Sequence, residues 1–159
     1  MPDMFVNLLK LPDERKLIGK LAKEGITIRR VQPFERSILH RYVLGNFSEI
    51  WADEALRCFS YQPPTCFIAT CEKKIIGFAC YETTRRDFFG PMGTNEEFRG
   101  RGIGKALLLA CLRAMLDMGY AYAVIGGAGP AKFYEKCVGA TEIPGSAPGI
   151  YTDMLERGP

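Results

Sequence analysis

Residues 105–118, KALLLACLRAMLDM, set the first condition on the fold. Their spacing predicts a helix whose polar side chains, Lys105, Arg113 and Asp117, fall on one thin stripe. A helix so apolar has to be buried on most sides, and the rest of the chain must cover it. Gly119 ends the helix, and AYAVIG (121–126) follows as a buried strand.

The other segments supply that cover. DERKLIGKLAKE (13–24) places Leu17, Ile18 and Leu21 on one face, with Asp13 to cap the start and Gly25 the end. ITIRRV (26–31) alternates as a strand. PFERSILHRYVL (33–44) opens a helix with Pro33 at its first position and stops at Gly45. Asn46 and Glu49 make a capping-box pattern ahead of Trp51, Ala55, Cys58 and Phe59 at helical spacing. CFIAT (66–70) and IIGFACYE (75–82) read as an antiparallel hairpin. DFFGPMGT (87–94) is a further strand, in which Gly90, Pro91 and Gly93 predict a bulge or a close approach to the backbone. PAKFYEKC (130–137) reads as a short helix and GIYTDML (149–155) as a closing strand. The order β-α-α-β-β-β-α-β-α-β describes one mixed α/β domain over residues 25–159. Residues 1–24 form a helical extension packed on it.

At 159 residues the chain suits a single domain with a real core. A net charge of +3 without a clustered basic face argues against nucleic acid as a partner. No run approaches eighteen apolar residues, and the start, MPDMFVNLLKLPDERK, has neither a basic leader nor a small-residue cleavage site. Neither a membrane span nor a signal peptide is expected. The six cysteines form no CxxC pair, which argues against a zinc site or another metal centre. Most lie in apolar stretches and read as reduced core thiols of a cytoplasmic protein. His40, the one histidine, sits on a helix of mixed character and reads as a surface or packing residue.

The candidate for chemistry is EEFRGRGIGKALL (96–108), a glycine loop running straight into the apolar helix. Backbone N–H groups at a helix start are unpaired, the helix dipole favours negative charge, and glycine lets a ligand approach closely. Two nucleotide motifs fail here. A Walker A loop needs GxxxxGK followed by Ser or Thr; Gly100 to Gly104 is one residue short, and Ala106 replaces the hydroxyl. A dinucleotide fingerprint needs a third glycine where Leu107 or Lys105 stands, and a first-strand position in a βαβ unit.

Arg99-x-x-Gly102-x-Gly104 resembles the pyrophosphate-binding signature, Gln/Arg-x-x-Gly-x-Gly/Ala, of the GNAT family of acetyl-CoA-dependent N-acetyltransferases. The strand order over residues 25–155 is similar to the GNAT fold, and FYEK (133–136) resembles its second motif. The resemblance implies a mostly antiparallel mixed sheet, flanked by helices and splayed between its fourth and fifth strands, with acetyl-CoA as co-substrate. It implies a pyrophosphate held by Arg99, Gly100, Arg101, Gly102, Ile103, Gly104 and Lys105. The pantetheine arm would lie along Met92, Gly93 and Thr94, where backbone pairing with it would be a form of strand addition. Tyr134 would border the cofactor and act as general acid toward the departing sulfur. Glu82 is a candidate base, as are Glu96 and Glu97, and no spacing selects among them. Trp51 and Tyr61 are candidates to line the pocket of a small-molecule or peptide amine. The resemblance leaves room for a homodimer. Some positions depart from the family pattern: Gly127 and Pro130 replace its Asn and Ala, Glu96 its Pro, and Val138-Gly139-Ala140 its Gly-Phe. These departures give a second expectation, a non-catalytic acyl-CoA-binding or regulatory module.

Overall fold

The computed structural model describes residues 1–159. Its strands are β1 (Met4–Asn7), β2 (Ile26–Arg30), β3 (Cys66–Cys71), β4 (Lys74–Tyr81), β5 (Phe88–Thr94), β6 (Tyr122–Ile125) and β7 (Thr141–Glu142). Its helices are α1 (Arg15–Lys23), α2 (Arg36–Asn46), α3 (Glu49–Leu56), α4 (Ile103–Asp117) and α5 (Ala131–Val138). The strands form one sheet in the order β2-β3-β4-β5-β6-β1-β7. Every neighbouring pair is antiparallel except β5–β6.

The apolar helix is α4, and the sheet meets the demand it makes. Ile103, Leu107, Leu108, Cys111, Leu112 and Met115 are all buried in one core with Ala79 of β4, Phe89 of β5 and Ile125 of β6. One member of the polar stripe ties α4 to the N-terminal region: Arg113 donates to the Glu14 carboxylate at 2.9 Å and to the Pro12 carbonyl at 3.1 Å. On the opposite face of the sheet, α2 and α3 enclose a second core around Phe78, whose ring sits 5.5 Å from that of Phe47 and 6.2 Å from that of Trp51.

The structure departs from the sequence-based expectation at both ends of the chain. Residues 149–155 form no strand. The place beside β6 belongs to β1, with Met4 opposite Ile125 and Asn7 opposite Tyr122, and the two-residue β7 pairs on the far side of β1. The reason lies in side-chain patterning. Met4 and Val6 are fully buried while Phe5 points outward, the alternation a half-buried strand requires. GIYTDML carries a charge at Asp153 and leaves Met154 and Leu155 exposed. Residues 1–24 therefore contribute a sheet strand as well as the expected helix α1. Two smaller boundaries also move. α2 runs through Gly45 to Asn46, and the cap of α3 is Ser48, whose hydroxyl accepts from the Trp51 N–H at 3.2 Å, in place of Asn46.

Candidate active site

The sheet opens where β5 and β6 meet. Their parallel pairing is limited to Phe88 with Val124 and Phe89 with Ile125, and from Gly90 to Thr94 the β6 side of β5 has no partner. The cause is written in β5. Between Ala79 and Tyr81 of β4 the register shifts: Ala79 faces Met92 and Tyr81 faces Phe89, so β5 carries one extra residue at Gly90-Pro91. Proline has no N–H for a ladder and a bulge bends its strand, so β5 turns away from β6. These strands correspond to the fourth and fifth of the strand order expected from sequence.

A cavity of about 350 Å³ occupies the opening, bordered by Phe89, Met92 and Tyr134 on the sheet side and by Trp51 and Glu54 of α3 across from them. Tyr134 is buried and packs edge-on against Phe89 (6.2 Å, 70°) and Phe133 (5.1 Å, 79°). Its ring is fixed by these contacts, its hydroxyl makes no hydrogen bond within the protein, and the residue borders the cavity. Burial, assisted by nearby Cys137, pushes its pKa up to about 12, so it is a proton donor throughout the neutral range.

At the end of β5 the chain passes through Glu96–Phe98 into the glycine loop. Gly102 caps α4 with φ of +89°, a left-handed conformation that non-glycine residues rarely adopt. There a Cβ would also stand 2.7 Å from Leu17 Cδ1. No side chain caps this helix, and the backbone N–H groups of residues 100 to 105 donate to nothing within the protein. Ile103 faces the core and is buried, so only its backbone is presented. Arg99, Arg101 and Lys105 surround the turn. Arg99 is held loosely, at 3.4 Å from the Thr94 carbonyl and 3.9 Å from Glu96, and Arg101 lies 5.2 Å from the Phe98 ring. The loop and its charges have the features a pyrophosphate would need: free donors at a helix N-terminus, nearby cations and no capping side chain.

The structure brings Trp51, Met92 and Tyr134 together in the cavity; the loop residues Arg99 to Lys105 do not line it and lie past the end of β5, where Gly104 faces Thr94 and Phe133. Gly93 lies under the Phe47 ring, where a Cβ would stand 2.4 Å from Cε1, so packing alone already requires glycine there. Glu96 and Glu97, the other candidate bases, are exposed in the Glu96–Phe98 turn and do not border the cavity, and two further expected residues are elsewhere. Glu82 is buried in the β4–β5 turn, with its carboxylate accepting the Asp87 N–H at 2.8 Å, and does not border the cavity. Tyr61 donates to the Glu82 carbonyl at 3.1 Å and ties the segment after α3 to the same turn. Both are occupied with building the turn that carries β5. Residues the sequence reading passed over are Glu54, one turn after Trp51, and Tyr151, whose ring lies against Gly126 and Gly127 with Cε2 3.2 Å from a Cβ at Gly127. The helical spacing from Trp51 could have found Glu54; nothing local could have found Tyr151.

Comparison with solved structures returns this architecture. A GCN5-related glucosamine N-acetyltransferase region of a fungal multi-domain GH3 β-N-acetylglucosaminidase superposes with a TM-score of 0.72 at 16% identity, covering 89% of this chain and 19% of that one. A GCN5-related N-acetyltransferase from Sphaerobacter thermophilus gives 0.64 at 18% identity, over 89% and 48% of the two chains. One from Kribbella flavida gives 0.57 at 16%, over 89% and 53%. The chain thus spans between about a fifth and about a half of these structures, and at such identities the likeness is one of fold. No curated protein matches the sequence. The family model described as Acetyltransferase (GNAT) family matches residues 33–140, which takes in α2 through α5 with the glycine loop and Tyr134. With more than half its length matched, the chain belongs to the GNAT acetyltransferase family.

Proposed function

We propose that this protein is an N-acetyltransferase that moves the acetyl group of acetyl-CoA to a primary amine of a small molecule or peptide, by direct attack within a ternary complex. The observation that carries this reading is the row of unpartnered N–H groups at residues 100–105, which follows the same strand β5 whose open edge lines the cavity bordered by Tyr134. Acetyl-CoA is here a substrate, consumed in each turnover. Its pyrophosphate fits the loop, with Arg99, Arg101 and Lys105 supplying countercharge, and its arm fits the unpaired edge of β5 at Met92–Thr94. A neutral amine then attacks the thioester carbonyl, the C–S bond breaks, and the Tyr134 hydroxyl protonates the departing thiolate.

The test is release of free CoA thiol with a panel of primary amines, for wild type and Tyr134→Phe. The expected result is turnover by the wild type and a fall in kcat of about 10²-fold or more in the mutant, the range for loss of a general acid, with unchanged acetyl-CoA affinity. Unchanged turnover would remove Tyr134 from the mechanism. The departures at Gly127 and Pro130 favour one other reading, an acyl-CoA-binding module. Tight binding of acetyl-CoA with no turnover on any amine would select it.

A further inference from the structure

Glu54 is the single acidic side chain among the residues bordering the cavity. It shares one face of α3 with Ile50 and Trp51, as residues three and four apart on a helix do. Its Oε1 accepts from the Thr84 hydroxyl at 3.0 Å. Its Oε2 accepts no hydrogen bond, and no lysine or arginine pairs with the carboxylate. The other acids of α3 are treated differently. Glu49 and Asp53, on the outer side, both pair with Arg157 at 2.9 Å. A half-buried carboxylate without a cation is costly, and this one faces the space where a ligand would sit. Burial holds its pKa above the ordinary carboxylate range against the pull of the Thr84 bond. The titratable groups that feel its charge are Cys80 of β4 and Tyr151 of the C-terminal segment, both kept neutral by burial.

We propose that Glu54 is the acceptor-amine site. Its free Oε2 binds the ammonium group of a small monocationic amine whose apolar body lies against Ile50, Trp51 and Tyr151. The same carboxylate takes the proton that must leave before the nitrogen can attack. The inference rests on the acetyltransferase reading for its second half only. A single acid calls for a single cation. An aromatic and aliphatic wall calls for an apolar stem. A cavity of about 350 Å³, shared with the thioester arm, calls for a small one. The proton balance closes. One ammonium proton passes to Oε2 and on to solvent. The nitrogen lone pair forms the C–N bond as the C–S pair goes to sulfur. The second surplus proton on nitrogen replaces the one that the Tyr134 hydroxyl gives to the thiolate.

The experiment uses 2-phenylethylamine and its neutral isostere 2-phenylethanol, titrated calorimetrically into the CoA-saturated full chain, where no turnover occurs. The variant is Glu54→Gln, which keeps an oxygen for Thr84 and the same shape. The wild type is expected to bind the amine at least tenfold more tightly than the alcohol, Glu54→Gln to erase that difference, and CoA affinity to stay within twofold. An amine preference that survives in Glu54→Gln, or is missing from the wild type, overturns the proposal. With acetyl-CoA, Glu54→Gln is expected to lose 10²-fold or more in kcat/KM and the acid limb of its pH profile, with partial rescue by Glu54→Asp. Amine binding that depends on Glu54 without transfer by the wild type would leave the site standing and overturn the acetyltransferase reading. Transfer indifferent to Glu54→Gln would do the reverse.

Discussion

Gly104 separates the proposed phosphate cradle from the stability of the helix that carries it. It lies in the first turn of α4, and a Cβ there would point between Phe133 of α5, with Cζ at 3.4 Å, and Thr94 of β5, with Oγ1 at 3.9 Å. Gly104→Ala meets only ordinary contacts and replaces a poor helix former, a gain of up to about 1 kcal/mol. Gly104→Val keeps part of that gain but sends a branched side chain over the N–H groups of residues 104 and 105. Charge-assisted hydrogen bonds contribute about 1.5–3 kcal/mol each. Losing two costs about 3–6 kcal/mol, or roughly 10²- to 10⁴-fold in affinity at about 1.4 kcal/mol per decade. Calorimetric titration with acetyl-CoA should therefore show Gly104→Ala near wild type and Gly104→Val weakened by at least 10²-fold, with the melting temperatures of both at or above wild type. Acetyl-pantetheine, which has no pyrophosphate, should bind all three alike. Retained acetyl-CoA affinity in a folded Gly104→Val protein, or an equal loss with acetyl-pantetheine, would refute the placement of the pyrophosphate on this loop.

Two further predictions concern the frame around the site. Asp87 has a buried Oδ1 without a partner, and burial next to Glu82 raises its pKa to about 6. The folded state then holds a proton that the unfolded state has released, so stability falls as pH rises from about 4 through about 6. Asp87→Asn, tolerable at φ of +63°, should raise the melting temperature at pH 7 by a few degrees, about 1 kcal/mol after allowing for solvent screening. That gain should vanish at pH 4; an equal gain at both pH values would argue against the titration. Met4→Ala removes a fully buried side chain of β1. It should cost about 2–5 kcal/mol in urea unfolding, whereas a strand merely appended to the domain would give well under 1 kcal/mol.

Most of the fold was legible because its signals are local. The apolar face of α4, the alternation in β2 and the β3–β4 hairpin each follow from a few adjacent residues. So does the bulge in β5, where proline and glycine cannot sustain a ladder. The unpartnered N–H groups at the start of α4 were legible for the same reason, since they belong to consecutive residues of the glycine loop. The contest between MFVN and GIYTDML for the place beside β6 was not. Both segments have strand-forming composition, and only the depth of the core under Met4 and Val6 decides between them. The acceptor side was harder still. Trp51 could be found by helical spacing, but whether Glu54 or Glu82 faces the cavity depends on how α3 crosses β5. Glu82 sits in a strand-end sequence that looks suited to a base, yet the turn consumes its carboxylate.

The two ionisable groups facing each other across the cavity are shifted by one cause and suited by it to opposite tasks. Burial raises both Glu54 and Tyr134. For the carboxylate, a higher pKa means a stronger base, closer to what an ammonium proton requires. For the phenol it creates a difficulty: a donor at about 12 facing a thiolate with an ordinary pKa of about 8.5 would transfer its proton uphill by about 5 kcal/mol. The thiolate, however, would form in the same apolar space. The protein's own thiols show what such a setting does, since burial drives Cys111 far above the ordinary thiol value. A sulfur expelled beside Phe89 and Met92, in a cavity more open than the core around Cys111, would lose part of its solvation, which would narrow the gap between donor and acceptor as the C–S bond breaks. In the proposed mechanism the hydroxyl would keep its proton until that charge appears. Exclusion of water, more than any intrinsic acidity of Tyr134, is then what the packing of Phe89 and Phe133 around it would contribute to the proposed reaction.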